Sequence, residues 1–233
     1  MSLSHENVAI ALAVMLRVPG REPVKSRLHA ALGPHASTLL YRCFVLDTLD
    51  AAAQVPGTEA IVAFSPAAAA PAMAGLAPGM RRLAQRGDDL GARMANLVTD
   101  LLEAGHSAAL VTGSDLPALP AARFVEAARA LAGGDADVVL GPSEDGGYYL
   151  IGLTRSAPAL FTDMRWSAPD VLAVTCARAQ RLGLRVHRLP PWYDVDTPAD
   201  LVRLRDDLAS AVGAPAPGTV AWRTRRWLSA FPG

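Results

Sequence analysis

Three stretches of the chain place charge where a buried segment gives way to a loop. Residues 113–117 set Asp115 between Gly113 and Pro117, directly after an apolar run. Mg²⁺ takes hard oxygen ligands, usually one or two carboxylates completed by phosphate oxygens. Asp115 suits that role, although taken alone an aspartate here is more commonly a turn cap. Residues 190–201 carry Asp194, Asp196 and Asp200. Thr197 followed by Pro198 reads as the N-cap and first residue of a helix, with Asp200 in its first turn, which explains Asp200 structurally. Asp194 and Asp196 are not explained that way. They alternate on an extended segment and therefore point to one side. One or both would complete a metal site with Asp115.

The cations come earlier. Residues 17–28 form a Pro- and Gly-punctuated loop with Arg17, Arg21, Lys25 and Arg27. Lysine meets phosphate as a point charge and arginine as a fork, so Arg17, Lys25 and Arg27 are candidate phosphate ligands, against the plain reading of a solvated basic loop. The spacing is not that of a P-loop. Residues 86–96 look like a loop entering a helix, with Asp88, Asp89, Gly91, Arg93 and Asn96. A helix N-terminus can receive an anion, but the two acids argue against phosphate, so Gly91, Arg93 and Asn96 are assigned to the ribose or base.

Residues 141–150 contain Glu144, Asp145, Gly146, Gly147, Tyr148 and Tyr149. A hairpin turn needs only Asp-Gly. The extra Glu144 and the flanking aromatics suggest a substrate loop, with Glu144 or Asp145 as base or sugar-orienting group and Gly146, Gly147 and Tyr148 against the substrate. Trp166 is a candidate for the acceptor pocket, against ordinary packing of a large aromatic.

These groups need a scaffold. Apolar runs at 8–16, 60–65, 108–112, 137–141, 148–153 and 184–189 predict strands, most of them continuous rather than alternating, as in parallel sheets buried on both faces. Helical spacing joins Leu39, Cys43, Leu46 and Leu49, then Phe124, Ala127, Ala128 and Leu131, then Val171, Leu172, Thr175 and Ala179. The pattern predicts an α/β single-domain three-layer sandwich around a mostly parallel mixed sheet. The runs at 137–141 and 148–153 are too close for a helical crossover, so that pair is not simply parallel. Residues 66–79 read as a small helix or irregular connection. Residues 1–210 are expected to form the nucleotide-binding domain. Residues 211–219 read as a linker, and the remainder as a short helical tail that packs back or joins a partner subunit in a homodimer. In such sheets ligands bind outside the carboxyl ends of the strands.

The 233 residues hold 22 bases and 22 acids, so no net field draws the chain to nucleic acid or membrane. The basic run at 222–226 reads as a solvated face. Cys43 and Cys176 have no metal-like spacing and read as reduced, buried thiols of a cytoplasmic protein. The apolar run at 8–16 is too short to span a bilayer and lacks a basic leader.

Taken together, the segments around Lys25 and Arg27, the stretch 40–49, and those around Gly91 and Arg93, Asp115, Glu144 to Tyr149 and Asp194 to Pro198 resemble the DUF2064 family in order and spacing. That family is glycosyltransferase-A-like and also labelled a radical-SAM/selenodomain-associated or arsenosugar-type transferase. The resemblance covers roughly residues 8–210. A more distant similarity is to 2-phospho-lactate guanylyltransferases, which lack the loop at 144–149. The resemblance implies the nucleotide-diphospho-sugar transferase fold, with Mg²⁺ or Mn²⁺ held at Asp115 and Asp196, and Asp194 beside them. Glu22 departs from the pattern by placing an acid in the basic loop. Two activities follow: glycosyl transfer from a nucleotide-diphospho-sugar to a small-molecule acceptor, or nucleotidyl transfer from an NTP with release of pyrophosphate. The loop at 144–149 favours the first and the basic loop favours the second. The sequence leans to the first. A catalytically inactive nucleotide-binding module is the third reading.

Overall fold

An inner strand of the sheet, third of seven from one edge, is the most apolar run in the first half of the chain. In the computed structural model, which describes residues 10–210 and 214–231, this run is β1 (Ile10–Arg17). Alternate side chains leave opposite faces: Leu12, Val14 and Leu16 enter one core, and Ala11 and Ala13 enter the other. Small residues on the second face let helices approach closely. Residues 8 and 9 of the expected strand, and 211–213 of the expected linker, lie outside the described residues.

The remaining strands are β2 (Thr58–Ser65), β3 (Arg81–Ala84), β4 (Ala109–Thr112), β5 (Val138–Pro142), β6 (Tyr148–Leu153) and β7 (Val186–Arg188). They form one sheet in the order β3-β2-β1-β4-β6-β5-β7. All neighbours are parallel except at β6, which runs antiparallel to β4 and β5. The five residues between Pro142 and Tyr148, which pair at the end of the two strands, permit only a hairpin. β3 was not expected. It is short, largely exposed and carries two arginines, so neither periodicity nor burial marks it.

Helices α1 (His29–Ala53), α2 (Ala70–Leu76), α4 (Ala121–Ala132) and α6 (Pro198–Ala209) cover one face, through residues such as Phe44, Met73, Phe124 and Leu204. Helices α3 (Leu90–Glu103) and α5 (Val171–Arg181) cover the other, through Met94, Leu101 and Ala179. The result is the three-layer sandwich with a mixed, mostly parallel sheet. Fully burying one such large apolar side chain stabilises the fold by about 1.5–3 kcal/mol. The buried face of α1 is offset from the one the sequence spacing suggests. Leu40, Phe44 and Val45 are buried, whereas Leu39 is 42% exposed. No helix among the described residues is long and apolar enough to cross a membrane.

The tail ends in α7 (Trp222–Ala230), which packs back on α1. The Asp47 side chain is only 1% exposed. Its carboxylate accepts the backbone N–H groups of Arg223 at 3.2 Å and Thr224 at 2.8 Å. A distant carboxylate thus satisfies donors that the first turn of a helix cannot pair within itself. Arg223 also reaches Asp50 at 2.5 Å. The basic run is therefore partly a docking contact rather than only a solvated face. Asp47→Ala is expected to cost about 1–3 kcal/mol, the penalty of orphaned buried donors. Asp50→Ala, at a carboxylate 40% exposed, is expected to cost less than about 1 kcal/mol. Urea unfolding of the two variants measures both.

Candidate functional site

The carboxyl ends of β1 and β4 open on a cleft of about 730 Å³. At its floor stands Lys25. Its backbone is left-handed, with φ 50° and ψ 41°, a conformation that costs a non-glycine residue roughly 1–2 kcal/mol. Val24 and Leu28 on either side of the turn are buried and hold it there. The side chain is only 3% exposed. Its ammonium lies 2.5 Å from Asp115 Oδ1 and 2.8 Å from Asp196 Oδ1. It sits 5.9 Å from the Tyr41 ring centre and 5.8 Å from that of Phe44. Burial works against the charge of Lys25, but the Asp115 and Asp196 carboxylates outweigh it and hold the ammonium above the ordinary lysine value.

The structure thus brings Asp115, Asp196 and Lys25 together, from three separate loops. The two acid loops are also joined by their backbone, with Val195 N donating to Asp115 O at 3.1 Å. Val195 is 1% exposed, which turns its neighbours Asp194 and Asp196 the other way. Asp196 is fixed from behind. Thr197 caps α6, and the Asp200 carboxylate accepts from the backbone N–H groups of Asp196 at 3.1 Å and Thr197 at 2.7 Å. Asp200 stands in the first turn as read from the sequence, and there it completes a capping box with Thr197. Asp194 lies beside the pair and receives a 3.5 Å hydrogen bond from Ser143 Oγ. Burial first, then the charges of Asp115 and Asp196, push its carboxyl up to about 7.

The site tests well against a hard divalent cation in one respect. Two carboxylate oxygens already share one positive charge, so they converge on a common point. Among the described residues no three His, Cys, Asp or Glu side chains close round such a point. Mg²⁺ ordinarily uses one or two carboxylates and takes its other ligands from water and phosphate, so a pair is a sufficient protein contribution.

Arg17, Arg27 and Arg93 also line the cleft. The side chain of Arg93 donates to Gly87 O at 3.0 Å. Ion pairs among the described residues engage none of these three arginines. Glu22 does not line the cleft.

Several expected site residues stand elsewhere. Glu144 is half exposed and forms a two-pronged pair with Arg203 on α6, at 2.6 and 2.9 Å. That guanidinium holds its carboxyl below the usual range. Asp145 is exposed and accepts from Gly147 N at 3.0 Å, shaping the hairpin turn. Gly146, with φ 92°, faces the carbonyl of Pro169, 2.0 Å from where a Cβ would be. Gly91 is buried where a Cβ would stand 2.6 Å from Phe161 O and 2.9 Å from the Trp166 ring. Its small size serves helix packing, not ligand approach. Trp166 packs on that glycine and, edge to face at 6.2 Å, on Tyr148. Tyr148 and Tyr149 reach the cleft wall, and Trp166 does not. Asn96 donates to Arg86 O at 2.9 Å and fixes the loop before α3. Asp89 caps α3 by accepting from Ala92 N at 2.7 Å.

Two cleft residues went unread in the sequence. Gln85, just after β3, donates to Leu16 O at 3.1 Å and Ala63 O at 2.8 Å. Tyr41 accepts from Arg17 N at 3.1 Å and shares a 2.8 Å hydrogen bond with Ser114 Oγ. It ties the end of β1 to the loop of Asp115. Burial, then the Asp115 charge, push its hydroxyl up to about 12. Only recognition of β3 would have drawn attention to Gln85.

With this geometry in place, the chain can be set beside known proteins. A family model described as "Uncharacterized protein conserved in bacteria (DUF2064)" matches residues 48–168. The structure is similar to a protein of Desulfovibrio desulfuricans G20, named provisionally a nucleotide-diphospho-sugar transferase. The TM-score is 0.85 and the identity 30%, over 95% of each chain. It is more distantly similar to CMP:2-keto-3-deoxy-manno-octonic acid synthetase complexed with CTP, at TM-score 0.57 and 15% identity, over 86% of this chain and 98% of the other. A Mycobacterium tuberculosis H37Rv protein complexed with manganese gives TM-score 0.51 and 18% identity, over 87% and 100%. The last two likenesses establish the fold. No curated protein matches the chain.

Two measurements check this account. Gly146→Ala is expected to cost about 2–3 kcal/mol, because it adds a clash to an unfavourable backbone. Gly147→Ala, whose Cβ would meet only the Asp145 side chain at 3.3 Å, is expected to cost less than about 1 kcal/mol. Chemical unfolding separates them. Asp194 supplies a pH signature. In the folded chain it keeps its proton up to about pH 7, against 3.8 for the ordinary carboxyl. The native state therefore binds the extra proton between those values. Stability from this group falls as pH rises through that window, by at most roughly 1.4 kcal/mol per pH unit. In metal-free buffer, Asp194→Asn is expected to remove that component of the stability–pH curve; identical curves would contradict the burial of Asp194.

Proposed function

The chain belongs to the DUF2064 family, and we propose that it is a transferase acting on nucleotides, specifically a nucleotidyltransferase that consumes an NTP and releases pyrophosphate. The observation that carries this reading is the charge arrangement of the cleft. Arg17, Arg27 and Arg93 line it without carboxylate partners, in the same cleft as Asp115 and Asp196. A triphosphate brings four negative charges, more than a nucleotide-diphospho-sugar, and suits several cations in one cleft.

In this reading the acceptor, a small molecule with a phosphate or carboxylate oxygen, attacks the α-phosphorus. The bond to the β-phosphate oxygen breaks, and pyrophosphate leaves. Arg17, Arg27 and Arg93 bind the phosphates and stabilise charge on the departing pyrophosphate. Such catalysis is mainly positioning and electrostatics. Asp115 and Asp196, with Asp194 beside them, would hold Mg²⁺ or Mn²⁺, which when bound neutralises phosphate charge and polarises the phosphoryl oxygens. Tyr41 keeps the β1 and β4 loops in register, and Gln85 does the same for β1 and β2.

Glycosyl transfer is the second reading, favoured by the name given to the similar Desulfovibrio protein. It loses the base expected from the loop at 144–149, since Glu144 is engaged by Arg203 and Asp145 shapes its own turn. The two are separated by a thermal-shift panel of NTPs and nucleotide-diphospho-sugars, each with and without Mg²⁺. A ligand that binds only the folded state stabilises it by mass action. Nucleotidyl transfer predicts the largest Mg²⁺-dependent shift with one NTP. Arg27→Ala is expected to weaken that NTP about tenfold or more, the scale of a charged hydrogen bond. Asp115→Asn is expected to abolish the Mg²⁺ dependence. A larger shift with a nucleotide-diphospho-sugar, unaffected by Arg27→Ala, would select glycosyl transfer instead.

A further inference from the structure

Lys25 occupies the place where the charge between Asp115 and Asp196 must be compensated. We infer that Lys25 is the resident cation of that pair, exchanged for the divalent ion when polyphosphate enters, so that one side chain couples metal binding to nucleotide binding. The inference rests on the metal reading given above.

Three features carry it. The ammonium touches both carboxylates, at 2.5 and 2.8 Å, and its side chain is 3% exposed. Two cations cannot share that volume, because a divalent ion at carboxylate distance of roughly 2.1 Å would overlap the lysine nitrogen. The carboxylates are anchored. Asp196 is held by the Asp200 cap, and the peptide of Asp115 is bonded to Val195. Lys25 reaches the pair at the end of a long side chain with four rotatable carbons, so its ammonium can leave by side-chain rotation while its backbone stays held between Val24 and Leu28. The moving partner is therefore the lysine. The open space for it is the same cleft that Arg17 and Arg27 line, where polyphosphate supplies the negative charge it loses.

A metal alone must evict the ammonium without offering it a new counter-charge. A polyphosphate offers that counter-charge. Metal and polyphosphate should consequently bind cooperatively, and by linkage each should tighten the other by the same factor. Some cooperativity arises simply because a metal bridges to phosphate, so the informative quantity is its change when Lys25 is replaced.

The experiment measures Mn²⁺ affinity by calorimetry or by the paramagnetic resonance of free Mn²⁺, with and without inorganic tripolyphosphate. The full chain is used as wild type, Lys25→Met and Lys25→Gln. The inference predicts that both variants bind Mn²⁺ alone at least tenfold more tightly than wild type. It also predicts that tripolyphosphate enhances Mn²⁺ binding less in the variants, by at least fivefold. Unchanged Mn²⁺ affinity and unchanged coupling would overturn it while leaving the metal site standing. Absence of Mn²⁺ binding in all three proteins, with and without tripolyphosphate, would instead remove the metal reading and the inference with it. Lys25→Gln keeps an N–H donor toward the carboxylates and guards against misfolding of Lys25→Met. If both variants are destabilised, Mn²⁺ should raise their melting temperatures more than that of wild type. An equal or smaller rise would also overturn the inference.

Discussion

Two carboxylates that face one another at the end of an apolar sheet repel, so something positive has to stand between them. In this protein that constraint is met from within the chain. The ammonium of Lys25 closes the gap between the loop after β4 and the segment before α6, and it lies over the Tyr41 and Phe44 rings of α1. Buried ion pairs hold only when geometry is good and the remaining groups are satisfied. The surrounding hydrogen bonds provide that. Val195, Ser114 and Tyr41 tie one loop to another, and Asp200 fixes the segment before α6. The floor of the cleft is consequently set before any ligand arrives.

The architecture places these loops by a simple rule. β1 and β4 are parallel neighbours, so their carboxyl ends emerge side by side. The long return through β5, β6 and β7 then brings residues 190–197 to the same edge. The one reversal, at β6, positions the hairpin carrying residues 143–147 against the 190–195 segment, where Glu144 N donates to Trp192 O. What looks in one dimension like a separate substrate loop is in three dimensions a brace for the acid loop.

Much of this was readable from residue order because continuous apolar runs and their boundaries survive folding unchanged. The six strands, the antiparallel pair and the cap at Thr197 follow from local chemistry. Asp194 and Asp196 could be singled out because they follow a strand and lack a purely local explanation, and Asp115 because its place after a buried strand suits a metal as well as a turn. Other features depend on partners far along the chain. Nothing near Glu144 announces Arg203, fifty-nine residues away, and nothing near Gly91 announces the ring of Trp166. Both residues look like ligand contacts in sequence because a carboxylate in a Gly-rich loop and a glycine at a helix start are the same whether they meet a ligand or another part of the protein. Lys25 was read as a phosphate ligand for the same reason, since its carboxylate neighbours are remote. Short, exposed β3 carries no periodic signal, and Gln85 was overlooked with it.

Helix α1 touches the molecule's chemistry at one place and its periphery at another. Tyr41 and Phe44 enclose the lysine, and one to two turns later Asp47 and Asp50 receive the first turn of α7. The final segment therefore belongs mechanically to the cleft it never contacts. A substitution that loosened α7 would withdraw support from the rod on which Tyr41 is mounted, and so could alter ligand behaviour without changing any residue in the cleft.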